Sequence, residues 1–173
     1  MDRKQMRAFE GFVAESGDTL LRMATLLASD PQTAEDVYQE TLQRLAARWS
    51  RIDNPKAFSR RVLHNLVIDR ARALQRRPRE LEFGPAYDSG DARSGDSLAA
   101  VELRPALLAA LGTLPPQQRA IVVLRYFDDY SEADTAGLLG VSTGTVKSTA
   151  SRAVAQLRTH PGLAALFTTS DTP

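Results

Sequence analysis

Between Ser142 and Arg158 the chain sets out Thr143, Thr145, Lys147, Ser148, Ser151 and Arg152 without a carboxylate among them. Short hydroxyls and long cations in one run suit double-stranded DNA. Cations neutralise phosphates, and small hydrogen bonders let a helix approach base edges in the major groove. Val146, Ala150, Ala153 and Leu157 recur between them at helical spacing, so the polar residues share the outward side of one helix capped by Ser142. A second polar row, Arg61, Asn65, Asp69, Arg72 and Arg76, lies opposite Phe58, Val62, Leu63, Leu66, Val67 and Leu74. Asparagine is a poor helix-interior residue. Its amide at position 65 can read the edge of an extruded base while arginines hold phosphates, or it can make a structural hydrogen bond in the core. A third row, Asp36, Gln39, Glu40 and Gln43, falls at i, i+3, i+4 and i+7, and is either a partner-binding face or a wet surface. Trp49 and Phe58 flank the Arg51–Lys56 connection, where core packing is the simpler reading and base stacking the alternative.

These rows need helices to hold them, and the pattern supplies helices almost throughout. Strand-like alternation is nearly absent. Ser131 opens a short helix with Ala133, Ala136, Leu138 and Leu139 on its apolar side, and Gly140 falls where the chain reverses into the helix begun by Ser142. Together they read as a helix-turn-helix, the plainer alternative being an amphipathic hairpin with a solvated face. Earlier segments are expected to break at Ser16-Gly17-Asp18, Ser29-Asp30-Pro31 and Asp53-Asn54-Pro55. Asp30-Pro31 opens the helix whose buried stripe is Ala34, Val37, Tyr38, Thr41 and Leu45. From Arg76 to Ser97, prolines and glycines among charges read as a flexible linker. Helices resume near Leu98, break over Gly112–Pro116, and restart with Pro115 or Pro116 in the first turn. The expected fold class is all-α, in two small domains: residues 1–76, a linker over 77–103, residues 104–160, and a frayed tail over 161–173.

Charge supports this division. Net charge is only +1, yet residues 44–79 hold eleven cations against two acids, and residues 80–103 hold one against six. There is no cysteine, which excludes disulfides and thiolate zinc sites, and the two isolated histidines make no ligand set. No apolar run reaches membrane-span length, and Met1-Asp2-Arg3-Lys4 does not lead into a signal-peptide core. The expectation is a cytoplasmic protein without membrane insertion. No phosphate-binding glycine loop, metal cluster or nucleophile–base pair stands out, so neither catalysis nor a cofactor is expected.

Taken in order, AEDVYQET, NPKAFSRRVLHNLVIDRAR, LPPQQRAIVVLRYF and LGVSTGTVKSTASRAVAQLR closely resemble the extracytoplasmic-function sigma factors, the smallest members of the bacterial sigma-70 family. The resemblance covers all but linker and tail, and looks most like compact actinobacterial-type members. It implies two helical modules, regions two and four. It implies that Asp36, Gln39 and Glu40 meet the β′ coiled coil of core RNA polymerase, where the acidic character suits an arginine-rich surface. Asn65, Asp69 and Arg72 match the family's N-x-x-x-D-x-x-R helix at the melted −10 element, with Arg60 and Arg61 beside it on backbone phosphates. The Arg51–Lys56 loop matches the segment that holds a flipped base. The helix from Ser142, including Thr149, matches the reader of duplex −35 promoter DNA, although many relatives carry arginine where Thr149 stands. An anti-sigma factor commonly sequesters such proteins. Two rivals follow from the residues alone: a stand-alone helix-turn-helix regulator, which needs a dimerisation helix, and an enzyme with a DNA-binding tail, which needs a ligand-lined pocket in its first eighty residues.

Overall fold

A computed structural model describes residues 2–28, 30–76 and 98–163, apart from the side chains of 71, 74–76 and 98–104. The expected linker over 77–97, the tail beyond 163, and the side chains of Leu74 and Arg76 lie outside the described residues. The chain divides into two compact units, Met1–Arg79 and Glu80–Pro173. Every regular element among the described residues is helical.

The first unit packs three helices against one another: α1 (Arg3–Leu27), α2 (Pro31–Arg48) and α3 (Pro55–Arg76), with one 3₁₀ turn at Trp49–Arg51. Each start carries its own signal. Asp2 and Gln5 form a capping box on α1. Asp30 accepts from the Thr33 amide at 2.8 Å, with Pro31 in the first turn of α2. Asn54 Oδ1 accepts from the Ala57 amide at 3.0 Å, with Pro55 opening α3. Leu20, Met23, Ala24, Leu27, Val37, Leu45, Leu63, Leu66 and Val67 fill the space between them. Trp49 packs edge-on to Phe9, with ring centroids 5.3 Å apart, and is tilted against Phe12 at 5.6 Å, so this indole is a packing group.

One expected break is absent. α1 runs straight through Ser16-Gly17-Asp18. Gly17 is buried where α1 meets α2, and a Cβ there would stand 3.0 Å from the Tyr38 hydroxyl oxygen. The glycine permits close approach of two helices; it makes no turn.

The second unit contains α4 (Leu98–Gly112), α5 (Pro116–Tyr126), α6 (Glu132–Leu139) and α7 (Thr143–Arg158). α4 begins at Leu98, where helices are expected to resume, and carries Pro105 within it. α5 is buried nearly all round, from Arg119 to Leu124, as a central helix must be. The Arg119 side chain is buried because it has a task. Its Nη2 donates to the carbonyls of Gly112 at 3.1 Å and Leu114 at 3.3 Å, satisfying the otherwise open end of α4. In the α5–α6 connection Asp129 adopts φ +53°, and Arg125 straps the loop through the Tyr130 carbonyl. After α7 the chain returns toward α4, with Leu163 buried and Gly162 beside Ala106.

Candidate nucleic-acid and partner interfaces

α6 and α7 form the expected helix-turn-helix. Ser131 Oγ accepts from the Asp134 amide at 3.0 Å, and Ser142 Oγ accepts from the Thr145 amide at 3.1 Å, so both N-caps are made by side chains. Between them Gly140 takes φ +67°, the left-handed conformation glycine accepts without penalty. Ile121, Ala136, Val146 and Ala150 make the small core that fixes the angle between the helices, with Leu139 and Val141 packed against it. On α6 the buried residues are Thr135 and Ala136, while Ala133 is exposed and Leu138 only half-buried.

This packing leaves Ser142, Thr143, Thr145, Lys147, Ser148, Ser151 and Arg152 exposed on one side of α7. Thr149 is not among them. It is buried at 8 % exposure, because it falls one helical step from Val146 and belongs to the inward stripe. The resemblance sets Thr149 in the DNA-reading row, whereas in the structure it lies apart from the exposed side of α7. Ser148 Oγ turns back to the Thr145 carbonyl, and Arg152 Nε reaches the Ser148 carbonyl, so the Arg152 stem lies along the helix.

On α3, Arg61, Asn65, Asp69 and Arg72 are exposed at helical spacing, while Leu63, His64, Leu66 and Val67 are buried opposite. The exposure of Asn65 removes the buried structural hydrogen bond as its role. Arg60 is half-buried beside this row. The histidine burial was not foreseen; nothing in the spacing separates position 64 from the polar row one residue later. Lys56, in the first turn of α3, donates to Glu15 Oε1 of α1 at 2.7 Å, and the ammonium holds the Glu15 carboxyl below its usual range. This pair lies at the surface and ties the end of the Arg51–Lys56 connection to α1.

On α2, Asp36 and Gln39 are exposed and Glu40 is half-buried. They share one face, as spacing requires, but are not bare. Gln39 donates to Glu35 at 2.9 Å, and Gln32 to Asp36 at 3.1 Å. Two arginines bind Glu40: Arg44 from the next turn and Arg70 from α3. Sequence reasoning passed over Arg70, which stands off the polar row and whose partners are thirty residues or more away in the chain.

Comparison with known proteins places this geometry. Residues 12–77 match the family model for Sigma-70 region 2, and residues 104–157 match Sigma-70, region 4. The chain is 39 % identical over 161 residues to the RNA polymerase sigma-E factor of Streptomyces avermitilis, covering 91 % of this chain and 87 % of that protein. It is 33 % identical to the ECF RNA polymerase sigma factor SigM of Mycobacterium tuberculosis, covering 87 % of this chain and 75 % of that one. Among solved structures it is similar to the sigma factor RpoE from Bartonella quintana, crystallised with the anti-sigma factor NepR. The TM-score there is 0.67 at 26 % identity, with 88 % of this chain and 95 % of that one covered. No helix among the described residues is long and apolar enough to cross a membrane. Two matched modules in the expected order, on relatives spanned over most of their length, decide against a stand-alone regulator. The chain belongs to the sigma-70 family, in its extracytoplasmic-function group, and is an RNA polymerase sigma factor.

Proposed function

We propose that the chain docks on core RNA polymerase through Asp36, Gln39 and Glu40 of α2, holds the melted −10 strand with Arg60, Arg61, Asn65, Asp69 and Arg72 of α3, and reads duplex −35 DNA with the outward row of α7. The observation that carries the proposal is the exposed polar row on α3, opposite a buried face of Leu63, Leu66 and Val67 that also takes in Ser59 and His64. An exposed amide in a row with Arg61 and Arg72 suits an unpaired base edge flanked by phosphates. Polymerase supplies the chemistry and this chain the sequence discrimination. Trapping extruded bases shifts the duplex–bubble equilibrium toward the open state by their binding free energy. The RpoE relative is held by an anti-sigma factor, and control of the present chain by such a protein in the cytoplasm is part of this reading.

In vitro transcription with core polymerase tests the α3 assignment. Asn65→Ala is expected to lower output on a duplex promoter, and to lower it less on a template already mismatched over the −10 region. There the unpairing cost of a few kcal/mol has been met in advance. Wild-type output on both templates would return Asn65 to a passive surface residue.

A further inference from the structure

The acidic face of α2 is electrostatically closed. Both carboxylate oxygens of Glu40 are engaged: Oε1 accepts from Arg44 Nη2 at 2.7 Å, and Oε2 from Arg70 Nη2 at 3.1 Å. The other amino group of Arg70 lies 3.7 Å from Asp36 Oδ2, while Asp36 Oδ1 accepts from Gln32. One guanidinium on α3 thus spans the two carboxylates that the docking proposal assigns to a basic partner. The planar fork of arginine suits that span, since its two amino groups diverge toward separate acceptors. Arg70 and Glu40 are each only 33 % exposed, so the pair is held at the α2–α3 junction, whereas Asp36 remains open at 52 %.

We infer that Arg70 is an intramolecular stand-in for the polymerase arginines: it occupies Asp36 and Glu40 in the free chain, and a docking partner displaces it. The inference rests on the docking role proposed for α2. Binding is then an exchange of one ion pair for another, and its electrostatic gain is a difference between two pairs. This has two consequences. The free chain shows little net negative charge on α2, so other basic surfaces are drawn to it only weakly. Docking also releases the ionic tie between α2 and α3, the helix that carries Asn65, Asp69 and Arg72, only when polymerase has replaced it.

The test is titration of full-length chain with core polymerase across a salt series. Arg70→Gln is expected to bind about two- to fivefold more tightly at low salt, the worth of one partly exposed ion pair. Its affinity should fall more steeply with salt and meet the wild type near 1 M, where the screening length is about 3 Å. Arg70→Met, which keeps the apolar stem, should show the same gain, and Arg70→Lys, which keeps the charge but not the fork, should fall between wild type and Arg70→Gln. Binding of Arg70→Gln and Arg70→Met at or below wild-type strength overturns the exchange, as does loss of helicity in both, which would make Arg70 a structural tie. The double reversal Asp36→Arg with Glu40→Arg separates the two levels. If it binds core normally, the docking role itself fails; if it abolishes binding while Arg70→Gln changes nothing, only the exchange fails.

Discussion

Lys147 and Thr149 are two positions apart on α7 and face opposite ways, Lys147 exposed and Thr149 buried. Their substitutions should separate accordingly. Lys147→Ala is expected to weaken binding to many upstream sequences and to flatten the salt dependence by about one unit, the signature of one lost phosphate contact. Thr149→Ala should leave the preferred −35 motif unchanged in selection from a randomised library, because the threonine does not reach the outward row. A changed motif would place Thr149 at the bases. The sequence showed most of this helix: Val146, Ala150, Ala153 and Leu157 are buried as their spacing requires, and both serine caps form. Thr149 entered the DNA-reading set only through the resemblance to sigma factors; the outward row read from spacing leaves it out, and the apolar stripe of a packed helix is wide enough to take in i+3 as well as i+4. Arg70 escaped that reading. Its partners are set by how α3 lies on α2, which no local pattern encodes.

At the scale of elements, glycine was the residue most open to misreading. Ser16-Gly17-Asp18 has the composition of a turn, yet α1 passes through it, because Gly17 is there to let Tyr38 of α2 come close. Local rules cannot tell a glycine that bends the chain from one that admits a neighbour. Gly11, two turns earlier in the same helix, has open space where its Cβ would be. Gly11→Ala should therefore stabilise the first unit by about 0.5–1 kcal/mol, the intrinsic helix advantage of alanine. Gly17→Ala should gain less or lose stability, since the new methyl meets the Tyr38 oxygen. Urea unfolding midpoints of the two variants decide it, and equal gains would show that the α1–α2 approach is looser than described. Arg119 belongs to the same lesson. A cation inside RAIVVL reads as a surface residue on a buried helix, whereas its guanidinium closes the carbonyl end of α4. The capped starts of α2, α3, α6 and α7, by contrast, were all readable, because each cap is made by residues within a few positions of one another.

At the scale of the molecule, two units divide the labour that the account assigns: one meets polymerase and single-stranded DNA, the other duplex DNA. Two weak readouts joined in one chain, and spaced by polymerase, bind as a bivalent whole, so neither unit needs high affinity alone. The charge map foreshadowed this, since a little over half of the basic excess of residues 44–79 falls on α3. The most direct measurement of the central claim is transcription by core polymerase on a pool of promoter fragments, with and without the chain. The chain is expected to direct initiation to a subset of fragments sharing paired −35 and −10 motifs, and Asp36→Arg with Glu40→Arg to remove this without loss of helicity. Start sites left unchanged by the wild-type chain, or redirected equally by the reversed one, would contradict it.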